Sequence, residues 1–133
     1  MEKACPVVLR ERNGQVEYLA FVHPLAGKQF VKGTIEPGEL LTAACERELL
    51  EESGLVATAV EDLGTCRIVS QQLIYGFYRM QVEQPIPETF SFFCLDDGGH
   101  QFDFFWQPLH TELDTQWHPI FQEIAIYLRS VLK

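Results

Sequence analysis

No run of 18 apolar residues occurs in this chain, so no stretch of it reads as a membrane-spanning helix. Basic residues are few: 10 Lys and Arg stand against 19 Asp and Glu, a formal net charge of −9. That balance argues against nonspecific binding to nucleic acid or to an anionic membrane. A small nucleotide that brings its own cation remains compatible, because the ion offsets local repulsion. Cysteine is sparse too. Cys5, Cys45, Cys66 and Cys94 are scattered with no C-x-x-C pair, which suggests neither a zinc site nor a disulfide framework. Reduced, packed thiols in a cytoplasmic protein are expected. The opening MEKACPVV lacks signal-peptide architecture. Internal repeats, low-complexity tracts and linkers are also missing, so a single domain over residues 1–133 is expected.

What is present falls into short apolar runs separated by turn residues. Residues 5–10 read as a strand, Asn13-Gly14 as a hairpin turn, and Gln15 to Val22 as the return strand. Tyr18, Leu19, Ala20 and Phe21 are apolar on both faces, the mark of a buried central strand. A loop follows from His23 to Gly27, then a short extended piece from Lys28 to Lys32. Further on, residues 56–60 and 64–70 read as strands broken at Glu61-Asp62. Leu73 to Val82 is another, with Gly76 a candidate bulge. Residues 89–95 and 100–106 form a hairpin around Asp96-Asp97-Gly98-Gly99. The last segment has helical periodicity, with Pro119 in its first turn.

Between these strands lies GTIEPGELLTAACERELLEESGL, residues 33–55. Pro37-Gly38 marks a turn, and Leu40 to Ser53 contains neither Gly nor Pro but many strong helix formers. Glu39 stands where a helix begins, suited to the positive end of its dipole. Gly54 stands where a left-handed residue closes one. The segment therefore predicts a loop from Gly33 to Gly38 and a helix of about four turns. On that helix Glu48, Glu51 and Glu52 share an arc of roughly 100°. Arg47 reaches Glu51 at i,i+4, yet one guanidinium cannot neutralise three carboxylates. A hard divalent cation can, and Mg²⁺ favours oxygen ligands while keeping waters and substrate phosphates. Glu46 reads as an ordinary solvated charge.

Gly33, Glu39, Arg47-Glu48-Leu49, Glu51-Glu52 and Gly54-Leu55 fall at the spacing Gly-x5-Glu-x7-Arg-Glu-U-x-Glu-Glu-x-Gly-U, U being aliphatic. The segment resembles the box of the Nudix, or MutT-like, hydrolases without a mismatch. The resemblance implies an α/β/α sandwich with a mixed β-sheet, the box helix and a C-terminal helix. It also implies divalent-metal-dependent hydrolysis of a nucleoside diphosphate linked to another moiety, with Mg²⁺ (or Mn²⁺) as cofactor. Glu48 and Glu52 are then first-choice metal ligands, Glu51 a ligand or base, and Gly33 a backbone carbonyl at the metal. Arg47 orients a carboxylate, and Glu39 supports the loop or reaches the metal through water. Asp96, Asp97 or Asp103 is the extra late acid some members use, with Asp103 favoured because the other two read as solvated turn acids.

The expected partner is a small nucleotide, with the protein a monomer or homodimer. Tyr75, Phe77, Phe92, Phe102, Phe105 and Trp106 are candidates to stack on a base, against a general tendency of such residues to be core. Lys28, Lys32, Arg67 and Arg79 are candidates to meet phosphates. The neighbourhood some sixteen residues past Gly54, Val69-Ser70-Gln71-Gln72, carries neither the proline nor the tyrosine of the ADP-ribose or dinucleoside-polyphosphate branches. Triphosphate sanitation and dinucleotide cleavage both stay open. The alternative is a regulatory nucleotide-binding domain without turnover. Such domains commonly lose a box glutamate or the arginine, and this chain keeps them all.

Overall fold

The computed structural model describes residues 1–132, and of Asp97 the backbone alone. Residues 5–10, expected as one strand, are divided: β1 (Lys3–Val7) and β2 (Leu9–Arg12) enter different sheets. Between them the Val8 carbonyl accepts from Leu19 N–H at 2.9 Å. Asn13 and Gly14 adopt φ of 53° and 77°, the paired left-handed conformation of a tight hairpin, and return the chain as β3 (Gln15–His23). There follow β4 (Gly27–Gln29), β5 (Gly33–Thr34), α1 (Leu41–Ser53), β6 (Ala57–Ile68), β7 (Leu73–Val82), β8 (Phe90–Cys94), β9 (His100–Pro108) and α2 (Pro119–Val131).

Four strands form a mixed sheet in the order β5-β1-β7-β6, with β1 parallel to β7 and the other pairs antiparallel. A second, antiparallel sheet runs β2-β3-β9-β8, and β4 also pairs with β3. Alternation along β1 and β3 divides the interior in two. Ala4, Leu19 and Phe21 pack with Ala44, Cys45 and Leu49 of α1. Cys5, Val7, Tyr18 and Ala20 pack with Phe121, Ile124 and Leu128 of α2. The sheets thus lie between the two helices, which is the α/β/α sandwich expected. β3 is central as its two-sided apolar pattern implied: β2 and β4 flank one edge and β9 the other.

Two local expectations fail for identifiable reasons. β6 does not break at Glu61-Asp62; it absorbs them as register slips between Ala59 and Glu61 and between Asp62 and Gly64. Gly76 is no bulge, since it pairs in register with both Ala4 and Thr65. Its missing side chain makes room instead: a Cβ there would stand 2.6 Å from Leu41 of α1 and 2.4 Å from the Met1 sulfur. α2 begins at Pro119 as expected, capped by His118, whose Nδ1 accepts from Ile120 N–H at 3.2 Å.

Candidate active site

α1 starts one residue later than the composition implied. Leu40 is its N-cap and offers no side-chain hydrogen bond, and the first turn holds no acid. Glu39 is therefore not serving the helix dipole. It lies in the preceding loop and grips Arg47 with both oxygens, at 2.7 Å to Nε and 2.8 Å to Nη2. Its carboxylate also accepts from Glu36 N–H at 3.0 Å. Those bonds, Arg47's above all, hold the Glu39 carboxyl down to about 2.

Arg47 ties the loop to the helix. Its Nη2 donates to the Thr34 carbonyl at 3.0 Å, and its Nη1 to Glu48 at 2.8 Å and Glu51 at 3.2 Å. Its aliphatic part rises from α1 while its guanidinium spans β5, the Glu39 turn and two box glutamates. Gly54 closes the helix at φ 74°, its N–H bonded to the Leu50 carbonyl, as its spacing implied. Glu46 is not simply solvated: its carboxylate accepts from Ala59 N–H at 3.0 Å and fastens α1 to β6.

The role of Gly33 is steric. A Cβ built on it would stand 1.9 Å from the Glu48 carboxyl carbon, so the carboxylate lies directly against the Gly33 backbone. Only glycine permits that approach. Glu48 is 7% exposed. Burial pushes its carboxyl up, against the pull of Arg47. Glu52, one turn later on the same helix, is also pushed well above the usual carboxylate range, first by burial and then by the Glu48 charge beside it.

Glu52 faces a cavity of about 320 Å³ whose other walls include Asp96, Lys32, His23, His100 and Phe102. β3 and β9 supply these aromatic walls: His23 ends β3, His100 opens β9, and their rings lie 4.9 Å apart. Phe102 stacks on Phe21 at 4.3 Å and also meets His23. The Lys32 side chain arrives from the segment just before Gly33, and burial lowers its pKa against the attraction of Glu52.

This geometry sorts the candidates. Glu48 and Glu52 are brought together, Arg47, itself held by Glu39, braces Glu48, and Glu51 stands on the exposed side of the helix, bonded to Arg47. Of the late acids, Asp96 and not Asp103 shares the cavity. Asp103 alternates with Phe102 and Phe104, both of which face α1, so it points the other way and is held by Ser91 (2.7 Å) and Gln101 (3.1 Å). The side chain of Asp97 lies outside the described residues.

Of the cations only Lys32 reaches this cavity. Lys28 sits over Phe105 and 3.8 Å from Asp114, Arg79 pairs with Glu61 at 2.7 Å, and Arg67 donates to Gln72. Among the aromatic candidates, Tyr75 and Phe77 are core, Trp106 lies beneath Arg10, and Phe102 alone lines the cavity. Sequence reasoning missed His23, His100 and Cys94. They come from strand ends, and only the β3–β9 and β8–β9 registers bring them to Glu52.

A divalent cation fits the donor set. A cation between Glu48 and Glu52 would offset the burial and mutual charge that push both carboxyls up. Among the described residues no three His, Cys, Asp or Glu side chains converge on one point. An ion held here would depend on two carboxylates completed by water and substrate oxygens, the habit of Mg²⁺.

Glu48, held by Arg47, and Glu52 after it thus stand where α1 meets a cavity walled by the antiparallel sheet. The NUDIX domain family profile matches residues 2–125. The chain therefore belongs to the Nudix family, hydrolases of phosphoric anhydride bonds that generally need divalent metal ions. No curated protein sequence matches it. Solved structures share the fold. An Ap4A hydrolase from C. elegans superposes with a TM-score of 0.66 at 18% identity, covering 98% of each chain. A MutT protein from Methanosarcina mazei Go1 gives 0.62 at 14% identity, covering 98% of this chain and 94% of its own. A UDP-X diphosphatase gives 0.69 at 12% identity, covering 97% of this chain and 61% of its own. No helix is long and apolar enough to cross a membrane among the described residues.

Proposed function

We propose that the protein hydrolyses a nucleoside diphosphate linked to another moiety, releasing a nucleoside monophosphate, with Mg²⁺ (or Mn²⁺) as cofactor. The observation that carries this reading is Glu48 and Glu52 one turn apart on α1, Glu48 buried against Gly33 and Arg47 and Glu52 half-buried at a cavity that also holds Lys32. In the reaction, water's oxygen bonds to one phosphorus as the bridging P–O bond breaks. The bridging oxygen leaves on the other phosphate, and the protons pass to that phosphate and to solvent.

A divalent ion, when bound, supplies charge neutralisation and a more acidic water. This chain's residues do the rest. Glu48 and Glu52 would hold the ion, with the Gly33 backbone close beside Glu48. Arg47, fixed by Glu39, keeps Glu48 and Glu51 from turning away, and Glu51, on the exposed side, would be the carboxylate available to a water brought by the ion. Lys32 offers its ammonium to phosphate oxygens, and Asp96 is the late carboxylate available to water in the same cavity. Positioning and charge neutralisation carry most of phosphoryl transfer, and proteins that share the fold include a UDP-X diphosphatase and an ADP-ribose pyrophosphatase.

A panel of nucleotides incubated with Mg²⁺, followed by product detection, tests the reading. A nucleoside monophosphate is expected from at least one member, abolished by EDTA and poorly supported by Ca²⁺, whose looser geometry suits the site less. No turnover with Mg²⁺ or Mn²⁺ across the panel would favour a binding domain.

A further inference from the structure

Asp103, the late acid left outside the active site, belongs to a larger cavity on the other face of the same sheet. The β8–β9, β3–β9 and β3–β4 registers set Ser91, Asp103, Val22 and Lys28 side by side across four strands. Residues paired in register project to the same face, and all four line an open cavity of about 750 Å³. Phe105, two residues along β9 from Asp103, lines it as well.

The carboxylate in this row is half engaged. Its hydrogen bonds from Ser91 Oγ (2.7 Å) and Gln101 Nε2 (3.1 Å) both arrive at Oδ1. They hold the carboxyl below its ordinary value, Ser91's bond first, so the group is ionised at neutral pH. Among the described residues nothing donates to Oδ2 and no cation pairs with Asp103. Because the Ser91 hydroxyl donates to Asp103, its oxygen has only lone pairs left to offer. This end of the cavity therefore presents acceptors to a ligand, and its free charge is negative. A guanidinium fork engages both carboxylate oxygens, and Oδ1 already accepts twice. A compact ammonium needs only Oδ2 and a hydroxyl oxygen beside it, from Ser91 or Thr89.

Lys28 forms the other end. Its Cα lies two strand spacings from that of Asp103, about 10 Å, and Val22, 36% exposed, stands between them. The Lys28 ammonium is 5.6 Å from the centre of the Phe105 ring and 3.8 Å from Asp114, too far from that carboxylate for a hydrogen bond. A second cation here would be repelled, whereas a carboxylate would give Lys28 the close partner it lacks.

We propose that this cavity binds a small zwitterion of the ω-amino acid kind, its primary ammonium on Asp103, its aliphatic chain over Val22 and its carboxylate on Lys28. The site shares no lining residue with the cavity of Glu52, so it stands or falls independently of the hydrolase reading.

Binding of ε-aminocaproate, hexylamine, caproate and hexamethylenediamine to the full chain is followed by calorimetry at physiological ionic strength, where general attraction to an acidic protein is screened. ε-Aminocaproate is expected to bind about fivefold more tightly than hexylamine, the upper range for one exposed ion pair, and more tightly than caproate or the diamine. Asp103→Asn keeps an oxygen that accepts from Ser91 and Gln101, so the strand pairing is retained, and is expected to abolish binding of ε-aminocaproate. Lys28→Gln is expected to leave hexylamine binding unchanged and to bring ε-aminocaproate down to the same level. Absence of saturable binding by any probe would overturn the proposal. So would a diamine or hexylamine that binds as tightly as ε-aminocaproate, the mark of a merely acidic surface, or binding that survives Asp103→Asn.

Discussion

Gly33 shows how much a single atom decides in this protein. Its absent Cβ is what lets the Glu48 carboxylate lie on the backbone, and Gly33→Ala drives the two together at 1.9 Å. The carboxylate has to move by an ångström or more, which costs about 100-fold in kcat/KM where geometry governs the rate. Circular dichroism on the variant is expected to stay near wild type, because the clash is with a side chain. The late acids make a sharper comparison. Asp96→Asn is expected to lower kcat by about tenfold, equivalent to roughly 1.4 kcal/mol of barrier, while Asp103→Asn leaves it near wild type. Asp103 reads as the better candidate in the sequence because Asp96 and Asp97 fall in a turn and read as solvated acids. Yet the alternation Phe102-Asp103-Phe104 already implied that it faces away from the buried phenylalanines, and that signal was there to read. His23 and His100 left no such signal, since their meeting depends on a pairing between strands about 80 residues apart.

At the scale of one element, α1 carries both the chemistry and a weakness. Its box residues were legible because every one lies on one continuous helix or the short segments that flank it, where spacing largely fixes relative position. Its first turn was misread because Glu39's better partner is Arg47, eight residues on, and an ion pair with two hydrogen bonds outweighs a dipole. The cap is left to Leu40, which is 73% exposed and extended (φ −74°, ψ 150°). Leu40→Ser places a hydroxyl where it can cap, and is expected to stabilise the protein by about 1 kcal/mol, read as a rise in Tm. The Glu48–Glu52 pair makes the metal-free protein pH-dependent. A carboxyl whose pKa is raised by folding binds a proton more tightly in the folded state, so its contribution is full below the unfolded pKa and is lost as pH rises through the folded one. Metal-free Tm is expected to fall as pH rises above the ordinary carboxylate range, and Glu52→Gln to flatten that decline.

At the scale of the whole molecule, the layers were legible and the strand partners were not. Apolar periodicity located nearly every strand and both helices, but β1 finds its parallel partner β7 some 70 residues away. No local pattern announces such a pairing, nor the division of residues 3–12 between two sheets. The architecture holds α1 by burying Ala44, Cys45 and Leu49 against strands of both sheets. Leu49→Ala is expected to cost about 2–5 kcal/mol and to lower Tm and activity together.

The claim on which everything else depends is that Glu48 and Glu52 form a divalent-metal site. Melting curves of wild type and Glu52→Gln, in MgCl₂ against NaCl at matched ionic strength, test it most directly. With a Kd of about 1 mM and about 10 mM Mg²⁺, linkage gives roughly 1.4 kcal/mol, a rise of several degrees for a domain of this size. Wild type is expected to show that rise in MgCl₂ and not in NaCl. The variant is expected to lose it, while melting without metal at or above the wild type because a buried repulsion is gone. A wild-type shift that NaCl reproduces in full, or one that survives Glu52→Gln, would contradict the account.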